Sequence, residues 1–179
     1  MTGVAISSNR DLQDFMRIAW PGERKRFMGP PAAVVAFSDW NYYYTRDPLE
    51  WRSNTDPKRT VDVPVGFVTD LASIPPAFWT LLPKTAAYSY PAIIHDYLYW
   101  FQPCDRKDAD EVLKGAMEDL GVATVTITTI YGGVRVGGES AWQANAKARA
   151  NGEKRVLKRF PADMKISWEQ WKTEPDVFV

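Results

Sequence analysis

The rhythm of apolar and polar positions changes along this chain, and the changes mark its elements. Residues 33–69 have the texture of strands. Ala33-Val34-Val35-Ala36-Phe37 is a β-prone run, and Trp40-Asn41-Tyr42-Tyr43-Tyr44-Thr45 has the aromatic and β-branched content that pleated surfaces favour. Leu49-Glu50-Trp51-Arg52 and Thr60-Val61-Asp62-Val63-Pro64-Val65 alternate with a period of two, and Pro64 puts the second run at an edge or a strand end. Asp47-Pro48 and Ser53-Asn54-Thr55-Asp56-Pro57 read as turn and loop. A small antiparallel sheet of three or four strands is expected.

From Ile74 the period lengthens to that of helices. Pro75-Pro76 opens a short helix over residues 77–82, and Pro83 stops it. Pro91 stands where a first turn tolerates it, and a largely apolar helix over 92–100 follows, ended by Gln102-Pro103. Asp105 is a fitting N-cap for the next helix, over 106–120, with Gly121 at its C-terminal end. Ala109, Val112, Leu113, Ala116, Met117 and Leu120 make one stripe on it. Residues 122–136 are ambiguous. Their β-branched content suits a strand, but their spacing suits a helix packed on its predecessor, and helix is the reading adopted. Gly137-Gly138 is expected to break it before a further helix over 139–151, anchored by Trp142.

These elements give an α+β fold: a small antiparallel N-terminal sheet packed against a C-terminal bundle of four to five helices. One domain over residues 31–151 accounts for them. Residues 1–30 are a lead-in with a short helix over 11–20. Residues 152–179 are a charged extension carrying Trp168 and Trp171, expected to pack on the domain or to stay partly flexible.

Composition narrows the function. With 8 Trp, 8 Tyr and 8 Phe in 179 residues, the chain is too aromatic to be disordered. Lys+Arg and Asp+Glu both number 22, which disfavours a globally basic nucleic-acid binder. A single Cys and a single His exclude a disulfide framework, a Cys-rich zinc site and a multi-histidine metal site. No apolar run is long enough to span a bilayer, and no secretory leader is visible. The expectation is a protein made in a host cytoplasm, and one packed into a particle would have the same composition.

The chemistry centres on the only histidine, His95, followed at once by Asp96 in an apolar helix. Each buried polar group costs about 1–3 kcal/mol unless paired, and a charged one costs more. Adjacent helix positions point about 100° apart, so these two side chains do not bond each other and each can face a cleft. On the next helix Arg106 and Asp110 are spaced to pair, and Asp110 sits on the border of the apolar stripe. There it can reach across to His95, giving the carboxylate-oriented imidazole that general-base chemistry uses. The loop over 65–75 adds Asp70 and Ser73. One of these is expected to cap a helix. Alternatively Asp70, loop carbonyls and Asp96 offer oxygen ligands to a hard cation such as Ca²⁺. Ser73, Tyr99 and Arg106 are the candidate substrate-contacting residues. The same set also reads as a buried structural network.

The run Val63-Pro64-Val65-Gly66-Phe67-Val68-Thr69-Asp70-Leu71-Ala72-Ser73-Ile74-Pro75, then His95-Asp96-Tyr97-Leu98-Tyr99, then Arg106 with Asp110, resembles the domain of unknown function 1353 over about residues 35–140. The resemblance implies a bacteriophage or prophage setting, with tail or other virion proteins as candidate partners. A second likeness is to prokaryotic phospholipase A-two domains, in the order loop Asp, His-Asp pair, later Asp. It implies His95 as the base, Asp110 as its orienter, and Asp96 with carbonyls near Asp70 as calcium ligands. Leu71-Ala72 departs from the Gly-Cys of that loop, and the flanking cysteines are missing. The candidate functions are thus a His–Asp hydrolase acting on an ester or a cell-envelope component, a non-catalytic tail-associated or assembly protein, and a host-interaction module.

Overall fold

A computed structural model describes residues 34–71 and 89–179. The lead-in over 1–30, the helix expected over 77–82 and Ser73 lie outside the described residues. In chain order the elements are β1 (Val34–Ala36), β2 (Tyr43–Thr45), β3 (Leu49–Arg52), β4 (Thr60–Val63), β5 (Val68–Thr69), α1 (Ser89–Phe101), α2 (Arg106–Asp119), α3 (Thr124–Ala150) and α4 (Trp168–Trp171). The fold is α+β, with short antiparallel strands first and helices after them.

The strands form two sheets rather than one, in the orders β1-β2-β5 and β3-β4. The alternation in β3 and β4 does what it predicts. Leu49, Trp51, Val61 and Val63 are buried, while Glu50 and Asp62 face water. Glu50 stands opposite Asp62, and Arg52 bridges both, at 3.7 and 2.5 Å. Trp51 carries the hairpin to the helices, its Nε1 donating to Asp119 Oδ2 at the end of α2 at 3.1 Å. β5 lies inside the expected loop, where Val68 and Thr69 pair with Tyr44 and Tyr43 of β2.

The expected break at Gly137-Gly138 does not occur, because α3 runs unbroken from Thr124 to Ala150. Thr128 and Thr129 return their hydroxyls to the carbonyls of Thr124 and Val125, which quiets two residues that favour strands. Gly138 is buried beneath Tyr99, and a Cβ there would lie 2.3 Å from the Tyr99 hydroxyl. Close packing against α1 therefore overrides the low helix propensity of glycine. Lys147 and Arg149 stand in the last turn, where cations suit the helix dipole.

Beyond α3 the chain returns to the first sheet. Val68 takes a backbone bond from its N–H to Arg155 O at 2.8 Å, and Leu157 N–H donates to Gly66 O at 2.9 Å. Gly66 has φ +82°, and a Cβ there would sit 2.2 Å from Leu157 O, so the two backbones meet only because the side chain is absent. On the other side of the same stretch, Val179 N–H donates to Val156 O at 3.0 Å. Two apolar clusters result. One lies between β3, β4 and the three long helices. The other gathers Phe37, Tyr44, Val68, Leu157, Trp168, Trp171 and Val177. Among the described residues no helix is long and apolar enough to cross a membrane.

Candidate functional site

Helix α1 places His95. Ile93, Ile94, Leu98 and Trp100 bury its core side, and His95 lies among them at 2% exposure. Helix α2 starts at the expected cap, where Asp105 accepts from the Asp108 N–H at 2.8 Å. Its buried stripe carries Asp110 in line with Ala109, Val112 and Leu113, and Asp110 is fully buried. Across the contact of α1 with α2, His95 Nε2 and Asp110 Oδ1 are 2.9 Å apart.

Asp110 is the hub of a wider cluster. Tyr99, one turn beyond His95, donates its hydroxyl to Asp110 Oδ1 at 2.7 Å. Arg106 and Arg135 each donate through Nη1 to Oδ2, at 3.1 and 2.7 Å. Arg106 also reaches the Val134 carbonyl on α3 and pairs through Nε with Glu139 at 2.9 Å. The His95 and Tyr99 rings lie 4.1 Å apart, and Trp142 meets Tyr99 edge-on at 5.0 Å. Three helices are thus joined at one carboxylate.

The electrostatics follow. Burial raises the Asp110 carboxyl, but hydrogen bonds from His95, Tyr99 and Arg135 outweigh it and hold the group below its ordinary value. An ionised Asp110 only accepts hydrogen bonds, so His95 Nε2 is the donor. In neutral imidazole that leaves the lone pair on Nδ1. Burial lowers the His95 pKa, the Asp110 bond opposes this in part, and Arg106 adds to the lowering. His95 is therefore neutral at neutral pH. Burial also pushes the Tyr99 phenol well above its usual range, so it stays a donor.

Asp96 faces elsewhere. It accepts a hydrogen bond from the Thr69 hydroxyl on β5. Thr69 Oγ1 also accepts from the Leu71 N–H at 3.1 Å. Leu71, standing where the phospholipase-like loop has glycine, takes φ +55°, a left-handed conformation that glycine favours. Leu71 is buried, so packing holds the strained backbone in place. Among the described residues no group of three or more His, Cys, Asp or Glu gathers to hold a metal. Calcium takes six to eight oxygens, of which Asp96 and Asp70 offer only part. Asp96 and Asp70 are the described carboxylates of the calcium reading.

The structure brings His95, Asp110, Tyr99 and Arg106 into one cluster, puts Asp96 on Thr69 beside it, and leaves Ser73 outside the described residues. Arg135, Glu139 and Thr69 are not singled out as site residues by the sequence reading, and Gly138 enters it only as an expected helix break. Arg135 left a faint signal, as the only charged residue between Thr124 and Gly138, next to the apolar stripe of Ile127, Ile130 and Val134.

A family model described as a protein of unknown function, DUF1353, matches residues 45–134. That is half of the 179-residue chain. The chain belongs to this family. The DUF1353 span takes in Thr69, His95, Asp96, Tyr99, Arg106 and Asp110, and stops just short of Arg135. No curated protein and no solved structure matches the chain.

Proposed function

We propose that this DUF1353 chain is a hydrolase in which His95 is the general base and Asp110 its orienting carboxylate. The observation that carries it is the bond from His95 Nε2 to a buried, ionised Asp110, which makes Nδ1 the basic nitrogen. His95 Nδ1 takes a proton from water as the water oxygen attacks an ester carbonyl. The tetrahedral intermediate expels the alcohol, which leaves with that proton, and an acid is formed. Asp110 stabilises the imidazolium in between. Tyr99 and the two arginines keep Asp110 ionised and fixed. A phage or prophage setting, with action on an ester or cell-envelope component, is part of the same proposal.

A second reading has its own support. His95 is 2% exposed, and Asp110 takes four side-chain donors, which is how a buried network that fixes helix register is built. In that reading the protein is a non-catalytic phage component, tail-associated or accessory.

One variant separates them. In His95→Gln the amide still donates to Asp110, but no base remains. Phosphatidylcholine vesicles and soluble acyl esters are incubated with the protein, and released acid is titrated. The hydrolase reading expects release by the wild type, weakening on the acid side as His95 gains a proton, and none by His95→Gln with its melting temperature nearly kept. No release from any ester, or equal release by both proteins, would leave the network reading standing.

A further inference from the structure

The turn between β1 and β2 holds a conformational outlier. Trp40 has φ +56°, a region where a bulky side chain is rare, and its side chain is 69% exposed. The conformation is pinned: Trp40 N–H donates to Phe37 O at 3.0 Å, and Trp40 O accepts from the Tyr43 hydroxyl at 3.1 Å. By contrast Trp51, Trp100, Trp168 and Trp171 are buried and Trp142 is half-buried. Glycine or asparagine would fit this backbone better, and a polar residue would suit the exposure better. A tryptophan here is disfavoured twice within the free chain.

Position gives it a use. Tyr43 pairs with Thr69 in antiparallel register, so the Trp40 turn and the Asp70-Leu71 loop leave the first sheet at the same end. That is the end at which Thr69 holds Asp96, one residue from His95. The charge on the turn is that of Asp39 alone, between Ser38 and Asn41. The cation beside the turn, the Arg155 guanidinium 5.6 Å from the Tyr42 ring centre, is paired with Glu153 at 3.2 Å, so this end has no net positive charge to favour an anionic surface, while an indole settles readily at the boundary between headgroups and acyl chains.

We propose that Trp40 is an interfacial anchor that seats the candidate site on a zwitterionic phospholipid surface. The choice of a lipid surface rests on the ester-hydrolase reading. Binding by the anchor is nonetheless measurable without any turnover.

The test is sedimentation of the full chain with phosphatidylcholine vesicles, wild type against Trp40→Gly. Glycine relieves the backbone and removes the indole. Binding is expected to fall about tenfold, while the melting temperature holds or rises, an opposition that misfolding would not produce. Trp40→Phe is expected to lie between. Vesicle binding by the wild type that Trp40→Gly does not weaken, or no binding by the wild type, would overturn the anchor. Soluble-ester hydrolysis reports separately on His95. Binding that depends on Trp40 without any hydrolysis keeps the anchor and removes the hydrolase. Hydrolysis of soluble esters without vesicle binding does the reverse.

Discussion

The cluster around Trp168 is closed by rings and aliphatic chains, whereas the cluster between the helices encloses an ionised carboxylate. In the first, Phe37 lies against Tyr44 and Trp168, and Phe178 meets Trp168 edge-on. One buried atom there, Trp171 Nε1, goes without a hydrogen-bond partner. In the second, Asp110 receives four donors from three helices. Both regions are buried, and apolar burial is the main driving force for closing each. The aromatic cluster demonstrates that this chain closes a core without buried charge. The charged hub is therefore open to a test that separates cohesion from register and chemistry.

The contrast breaks most sharply at Asp110. Asp110→Ala leaves Arg106, Arg135 and His95 facing a small apolar side chain, and a broken buried ion pair costs about 3–5 kcal/mol. Urea denaturation should show that loss. Replacing His95 and Asp110 by Leu, Tyr99 by Phe, and Arg106 and Arg135 by Met removes the carboxylate together with all four of its donors, and this multiple variant should recover much of the stability. If it does, the cluster is not needed for folding, and the hydrolase reading gains. If the multiple variant is as unstable as Asp110→Ala, the network holds the helices in register.

Gly138 and its neighbour test the packing that supports the hub. A Cβ on Gly138 would strike the Tyr99 hydroxyl, while one on Gly137 would meet nothing within 4 Å. Gly138→Ala should therefore cost about 1–3 kcal/mol by overpacking. Gly137→Ala should stabilise by about 0.5–1 kcal/mol, through helix propensity alone. Adjacent glycines giving opposite signs in thermal melts would show that α3 packs tightly on Tyr99 at Gly138. A gain at both positions would mean that Tyr99 has room to move and does not lock Asp110.

How much of this the sequence discloses depends on the range of the force involved. Periodicity and capping are local, so β3, β4, α1 and α2 are legible as elements, and α2 down to Asp105 as its cap, whereas α1 begins at Ser89, ahead of the expected 92, and β4 stops at Val63, short of the expected Val65. The pairing of Asp110 with His95 is also legible, since a carboxylate on the edge of an apolar stripe must find a donor. The Gly137-Gly138 continuity is not, because it depends on Tyr99 from another helix. Nor is β5, whose two residues become strand only by pairing with β2. Arg135 joins the hub across 25 residues of chain, and nothing near it in sequence points to Asp110. Leu71 is harder still, because its side chain argues against the left-handed backbone that its burial enforces.

The gentlest probe of the comparison is pH, since the aromatic cluster has little to titrate in the acid range. His95 in the unfolded chain takes a proton near its ordinary value of 6.5, and burial lowers that value in the folded state. Below about pH 6.5 the unfolded chain thus binds more protons than the folded one, and stability falls as pH falls. Above it both states are neutral at this site, and the contribution is flat. Asp110 acts with the same sign in a lower window. Its folded value lies below the ordinary 3.8, so the stability it gives is present above that value and is lost as pH falls through the folded one. Urea midpoints between about pH 5 and pH 8 should therefore show a slope of at most about 1.4 kcal/mol per pH unit on the acid side, from one proton. His95→Gln should flatten it. A wild-type midpoint that does not change with pH there would mean that the folded chain protonates His95 as easily as the unfolded one, which its 2% exposure and the arginines beside Asp110 argue against.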